Sequence, residues 1–173
     1  NASYVADYME VSYRMSDQRV EQDWETPSLE EIPVISKMHV EAMESSNDAM
    51  VWKQAGMHHV VVRTVGRLSG NEHKVALPYW RDPDGHRIVV ASYAGAKAHP
   101  SWYFNLADKE ANPELLITEE GRQFWAVADI CDGDDYRATW DGLVADRAWY
   151  ADYQGKAPHR RIPLVRLVEQ RPA

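Results

Sequence analysis

Cysteine is nearly absent: Cys131 stands alone in 173 residues, which excludes an internal disulfide and any paired-cysteine redox or zinc motif. Phenylalanine is scarce as well, two residues against seven tryptophans and nine tyrosines. Most aromatic rings therefore carry a polar handle, which suits a flat polar ligand and equally a core whose rings find their own partners. Positive charge is in deficit, with a net charge of −8, whereas a nucleic-acid binder needs a basic face to displace counterions. No run approaches the roughly twenty apolar residues of a membrane-spanning helix, and no basic patch leads into an apolar stretch at the start. The expected location is the cytoplasm. HExxH, GxSxG, GxxxxGK[ST] and GxGxxG strings are all missing, which removes the usual signatures of zinc proteases, α/β-hydrolases, P-loop enzymes and Rossmann dehydrogenases. The adjacent His58 and His59 alternate across a predicted strand and cannot share one metal. A structural or surface role is expected for both, and no metal site.

Up to Glu31 the chain holds eight acidic residues against Arg14 and Arg19. Tyr4, Tyr8, Val11 and Met15 recur there at helical steps. A second helix is predicted from Pro33 to about Met43, with Pro33 in its first turn, and Asn47 is expected to cap a short segment carrying Met50, Val51 and Trp52. After Gly56 the pattern becomes β-branched: a strand over 58–65, a loop over 66–72, and a hairpin of KVALPYWRD and HRIVVASYAG turned at Pro83-Asp84-Gly85. A short helix follows at HPSWYFNL, then a second hairpin joined through Glu120-Gly121. A helix from Asp134 to about Tyr153 and a last strand over 161–169 complete the reading. About six mostly antiparallel strands with few helices between them predict a mainly β protein, a barrel with peripheral helices rather than a doubly wound sheet. Residues 1–55 read as an acidic helical N-terminal extension and 56–173 as the barrel.

Three constellations carry chemistry. In Gly66-Arg67-Leu68-Ser69-Gly70 two glycines let backbone N–H groups turn toward a ligand, while Arg67 and Lys74 supply charge a phosphate prefers; the string also reads as an ordinary turn with a solvated arginine. Small residues at Ala91-Ser92-Tyr93-Ala94-Gly95-Ala96 let a flat ring approach a strand end, with Trp102, Tyr103 and Asn105 framing the pocket; the same helix equally packs a core. Tyr150 and Tyr153 share one helix face and either line a pocket mouth or pack inside.

The ordered set TVGRLSG, LPYWRD, RIVVASYAGAKAHPSWYFNL, YADYQ and RIPLVRL resembles the deazaflavin-dependent nitroreductases, whose pattern runs TTGRKSG, PL.Y, VVAS.GG, HP.WY.NL and IP. The resemblance covers roughly residues 57–169. It implies a split β-barrel of the FMN-binding type that takes a hydride from reduced coenzyme F420, the cofactor carrying the chemistry while the protein orients donor and acceptor. On that reading Arg67, Ser69, Gly70 and Lys74 hold the phosphate and tail. Tyr79, Ala91, Ser92, Tyr93, Gly95, Ala96, Trp102 and Asn105 surround the ring, and Tyr150 and Tyr153, with Ser92, form the catalytic set over a quinone or nitroaromatic acceptor. A membrane quinone as acceptor would place the protein peripherally at the bilayer. The chain departs from the pattern at Leu68, at one inserted residue before Lys74 and at Tyr93-Ala94, leaving fewer cations for the acidic tail, with His73, Lys74 and Lys97 as substitutes. The acidic arm is expected to dock on its own barrel or at a dimer contact. Two other functions stay open at this point: an FMN-dependent oxidoreductase on the same barrel, and a non-catalytic F420 carrier.

Overall fold

The computed structural model describes residues 18–173, so the helix expected around Tyr4 to Met15 lies outside them. Two helices, α1 (Glu31–Glu44) and α2 (Ala49–Trp52), precede the strands β1 (Lys53–Gln54), β2 (Met57–Val65), β3 (Glu72–Arg81) and β4 (Arg87–Val90). Then come α3 (Ser101–Ala107), β5 (Leu115–Glu119), β6 (Arg122–Ile130), α4 (Gly133–Asp146), α5 (Trp149–Lys156) and β7 (Leu164–Pro172). Six strands run in the order β2-β3-β4-β7-β6-β5, and β5 pairs back onto β2 from Val61↔Thr118 to Arg63↔Leu116. Every pairing is antiparallel, so the predicted barrel forms, with the two-residue β1 an added edge beside β2.

Local chemistry explains the tight corners. Ala55-Gly56 and Glu120-Gly121 both place two successive residues at positive φ, the conformation a two-residue hairpin needs to match strand twist. Inside the barrel Val60, Val62, Ile117 and Phe124 are fully buried, each worth about 1.5–3 kcal/mol of apolar transfer.

The split in the barrel lies along β3. Strand β4 meets β3 only at Tyr79, Trp80 and Arg81, so residues 72–78 have a strand partner on the β2 side alone. Helix α1 covers the open edge: the Ala76 N–H donates to Ser36 Oγ at 3.3 Å. Pro78, two residues on, turns its ring nitrogen to the same side, where a missing donor costs no ladder bond. Helix α1 starts from a reciprocal cap that the sequence reading missed. Ser28 Oγ accepts from Glu31 N, and Glu31 Oε2 accepts from Ser28 N, satisfying two orphan donors at once.

Three elements differ from the sequence expectation. Asp48, not Asn47, caps α2, its carboxylate accepting from Met50 N at 2.9 Å; Asn47 instead packs over the Gly121 turn. The helix expected over 134–153 breaks at Arg147 and Ala148 into α4 and α5, because the buried Arg147 side chain turns inward to donate to the Tyr79 carbonyl. The last strand starts at Leu164 rather than 161, since Ile162 and Pro163 first bond to Gln154 and Ala91.

The described part of the acidic arm docks on its own barrel. Val20 N donates to Asp146 O, the Gln18 amide bonds to the Arg81 backbone, and Trp24 meets Trp149 edge to face at 5.0 Å.

Candidate active site

The open edge of β3, helix α1, the loop after β4 and helix α5 enclose a cleft of about 1020 Å³. His73 and Lys74 stand at one end. Ser92, Tyr93, Ala94 and Trp102 form another wall, and Trp149, Tyr150 and Tyr153 a third. Trp24 and Pro27 of the arm complete it, and Thr26 Oγ shares a hydrogen bond with the Tyr153 hydroxyl at 3.2 Å. A second cavity of about 350 Å³ shares only Glu44 and Lys74 with the cleft.

The loop after β4 is bent sharply. Tyr93, Ala94 and Gly95 have φ of +46°, +51° and +78°, a run that L side chains adopt only under constraint. Arg160 supplies that constraint: its guanidinium donates to the carbonyls of Ala91, Ser92 and Ala96 and meets His99 Nδ1 at 3.0 Å. Gly95 is needed for a second reason, because a Cβ there would lie 2.7 Å from the Tyr153 carbonyl. Ala91, Gly95 and Ala96 thus act through the backbone, holding Ser92 and Tyr93 at the cleft.

The 66–70 loop is fastened from below. Asn112 bonds both backbone groups of Val65, and the buried Asn105 accepts from Arg67 N and Arg67 Nη1. The Arg67 guanidinium also lies over Phe104 at 5.1 Å. Ser69 Oγ accepts from Asn71 N, and a Cβ on Gly70 would meet nothing within 4 Å, so the outer face of the turn is open.

Of the residues singled out from sequence, Lys74, Ser92, Tyr93, Trp102, Tyr150 and Tyr153 line one cleft. Arg67, Ser69 and Gly70 sit in the loop that leads to it, and the buried Asn105 anchors that loop from below. Tyr79 requires a correction. β4 begins pairing at this residue, so the split has closed and its ring lies in the barrel core, the hydroxyl donating to Glu119. Burial, helped by Glu119, pushes the Tyr79 pKa up to about 12. Lys97 is exposed and does not line the cleft, whereas His73 does.

Sequence reasoning missed His39, His59, Trp24, Trp149, Arg147 and Arg160. His59, expected to be structural or at the surface, is buried in the cleft wall, where its Nδ1 lies 2.9 Å from the Met57 carbonyl. That contact requires the proton on Nδ1 and leaves Nε2 as acceptor. Desolvation lowers its pKa to about 4, and burial also lowers that of His39, which meets it edge to face at 5.8 Å. Burial raises the Tyr150 pKa while the neighbouring Arg147 charge opposes the rise. The phenol remains a proton carrier at neutral pH.

The sequence profile of the F420H(2)-dependent quinone reductase family matches residues 35–169. The chain belongs to this family. An F420H(2)-dependent quinone reductase of Mycobacterium tuberculosis is 30% identical over 114 residues, 64% of this chain and 73% of that protein. A solved F420-H2 dependent reductase, FDR-A, is 31% identical with a TM-score of 0.52, over 63% of this chain and 92% of its own. Another solved relative, a domain-swapped dimer, is 27% identical with a TM-score of 0.54, over 76% of this chain and 95% of its own. The split barrel, the oxidoreductase class and the dependence on F420 that the motifs implied therefore hold for this F420H(2)-dependent quinone reductase family member. The residues present fit the group: one cleft offers cations at one end and flat walls of small and aromatic residues at the other. The fit is weaker at the anionic end, where Leu68 is 89% exposed and Lys74 is already paired with Glu44 at 3.1 Å. Among the described residues no cluster suits a metal, and no helix is long and apolar enough to cross a membrane.

Proposed function

We propose that the cleft holds reduced F420 with its phosphate end at the 66–70 loop, His73 and Lys74, and its ring against Ser92, Tyr93 and Trp102. The acceptor then lies under Tyr150 and Tyr153. The observation that carries this reading is the meeting of Lys74, Tyr93, Trp102, Tyr150 and Tyr153, scattered over some eighty positions of sequence, around one 1020 Å³ space. When bound, the cofactor supplies the hydride; the chain orients the acceptor and excludes water. The Tyr150 hydroxyl donates a hydrogen bond to an acceptor oxygen as charge develops on it.

A flat, electron-poor acceptor fits between aromatic walls, which favours quinones and nitroaromatics. The cytoplasm is the compartment this reading implies, with the protein at the bilayer surface when the quinone is lipid-borne. The test is steady-state oxidation of F420H2 by a soluble benzoquinone and by a nitroaromatic, beside a fluorescence titration of F420 against the cleft tryptophans. Saturable binding with turnover supports the reading; turnover with reduced FMN but not with F420H2 overturns it.

A further inference from the structure

Reduction of a para-quinone requires a hydrogen on each of two oxygens at opposite ends of the ring. Tyr150 and Tyr153 offer hydroxyls on the α5 wall. Across β2 and α1 the cleft carries an imidazole pair, His39 and His59, whose rings meet edge to face at 5.8 Å with an interplanar angle of 80°. Both line the same cleft as the tyrosines, together with Met57, Ala76 and Pro78. His59 is held by its Nδ1–H on the Met57 carbonyl. His39 is half-buried on α1, one turn from Ser36, which is hydrogen-bonded to the β3 edge. The pair therefore stands on elements fastened at both sides, in a wall otherwise largely apolar.

We propose that His39, oriented by His59, is the proton donor to the acceptor oxygen remote from Tyr150. This rests on the reading of the cleft given above. The acceptor gains two electrons and one hydrogen as hydride, leaving an anionic oxygen; the His39 N–H bond then breaks as the new O–H bond forms. Neutral His39 regains its proton from solvent, which receives the proton that the cofactor loses on oxidation, so electrons and protons balance. His59 is a positioning residue, since its tautomer is fixed and the cationic form is disfavoured by burial and then by the neighbouring His39 and Arg147 charges. The other charged or titratable groups lining this space are Glu25 on the arm, Lys37, Glu41 and Glu44 on α1, His73 and Lys74 on β3, and Tyr93 on the loop after β4. Because burial lowers the His39 pKa, kcat should rise as pH falls, with a midpoint below the ordinary histidine value of about 6.5.

The experiment measures kcat for a soluble para-benzoquinone from pH 5 to 8.5 in wild type and in His39→Gln, with F420 affinity by fluorescence. The expected result is a drop of about 10² in kcat, loss of the acidic rise and unchanged F420 affinity. An unchanged kcat and pH profile in His39→Gln would overturn the proposal. A second reading does not depend on the variant folding or on turnover: histidine imidazole NMR of the wild type with oxidised F420, before and after adding the matching hydroquinone. A displaced His39 titration supports the proposal, and one that hydroquinone leaves in place sinks it. If wild type neither binds F420 nor reduces the quinone, the cleft reading fails first and this proposal with it.

Discussion

Gly95 shows how tightly single atoms define the site. An added methyl would sit 2.7 Å from the Tyr153 carbonyl and 2.9 Å from Lys156 Cβ, on a backbone with φ +78°. Gly95→Ala should therefore cost about 1–3 kcal/mol, read as a lower Tm together with weaker F420 binding. Arg67 acts differently. Its backbone and guanidinium are both tied to Asn105, so its charge is presented at a set place, and Arg67→Ala should weaken F420 binding by about 1–3 kcal/mol in a fluorescence titration. Tyr150→Phe keeps the ring and removes the hydroxyl. Its expected signature is a kcat lower by about 10² with F420 affinity unchanged, and an unaltered kcat would remove Tyr150 from the chemistry. These residues differ in how readable they were. Tyr150 and Ser92 stood in motif strings and Lys74 lay just behind one, whereas His39, His59 and Arg160 gain their roles only from neighbours distant in sequence.

Helix α1 and the loop after β4 are the two elements that make a barrel into a site. The helix seals the unpaired side of β3 and begins at the Ser28/Glu31 cap. Ser28→Ala should cost about 1 kcal/mol and speed hydrogen exchange at the amides of Glu31, Ile32 and Val34, while amides in β6 keep their protection. Equal acceleration throughout would mean that the cap acts on the whole fold instead. A Ser-x-x-Glu string before an apolar helical stripe is a sequence signal, so this start was open to prediction. The break between α4 and α5 was not. Tyr136, Trp140, Leu143 and Ala148 read as one helix, and the interruption comes from a buried arginine reaching the Tyr79 carbonyl across the fold.

At the scale of the molecule, pH tests the buried histidine. His59 is neutral in the fold, with its pKa lowered to about 4, while in the unfolded chain it titrates near 6.5. Protons then bind the unfolded state more readily, so the stability is complete above pH 6.5 and is lost as pH falls toward 4. The loss is about 1.4 kcal/mol per pH unit and about 3 kcal/mol in all. Urea unfolding across that range should show the slope, and His59→Gln should flatten it. The strands, the hairpins and the family were legible in the sequence alone, because β-branched runs, paired left-handed turn residues and motif strings are local properties of the chain. Tertiary structure alone decided that Tyr79 belongs to the core, that Arg160 holds the loop after β4, and that two histidines line the same cleft as the tyrosines. Each of these depends on where the barrel splits and on what packs over the open strand, and such contacts join residues whose separation in sequence carries no periodic signal.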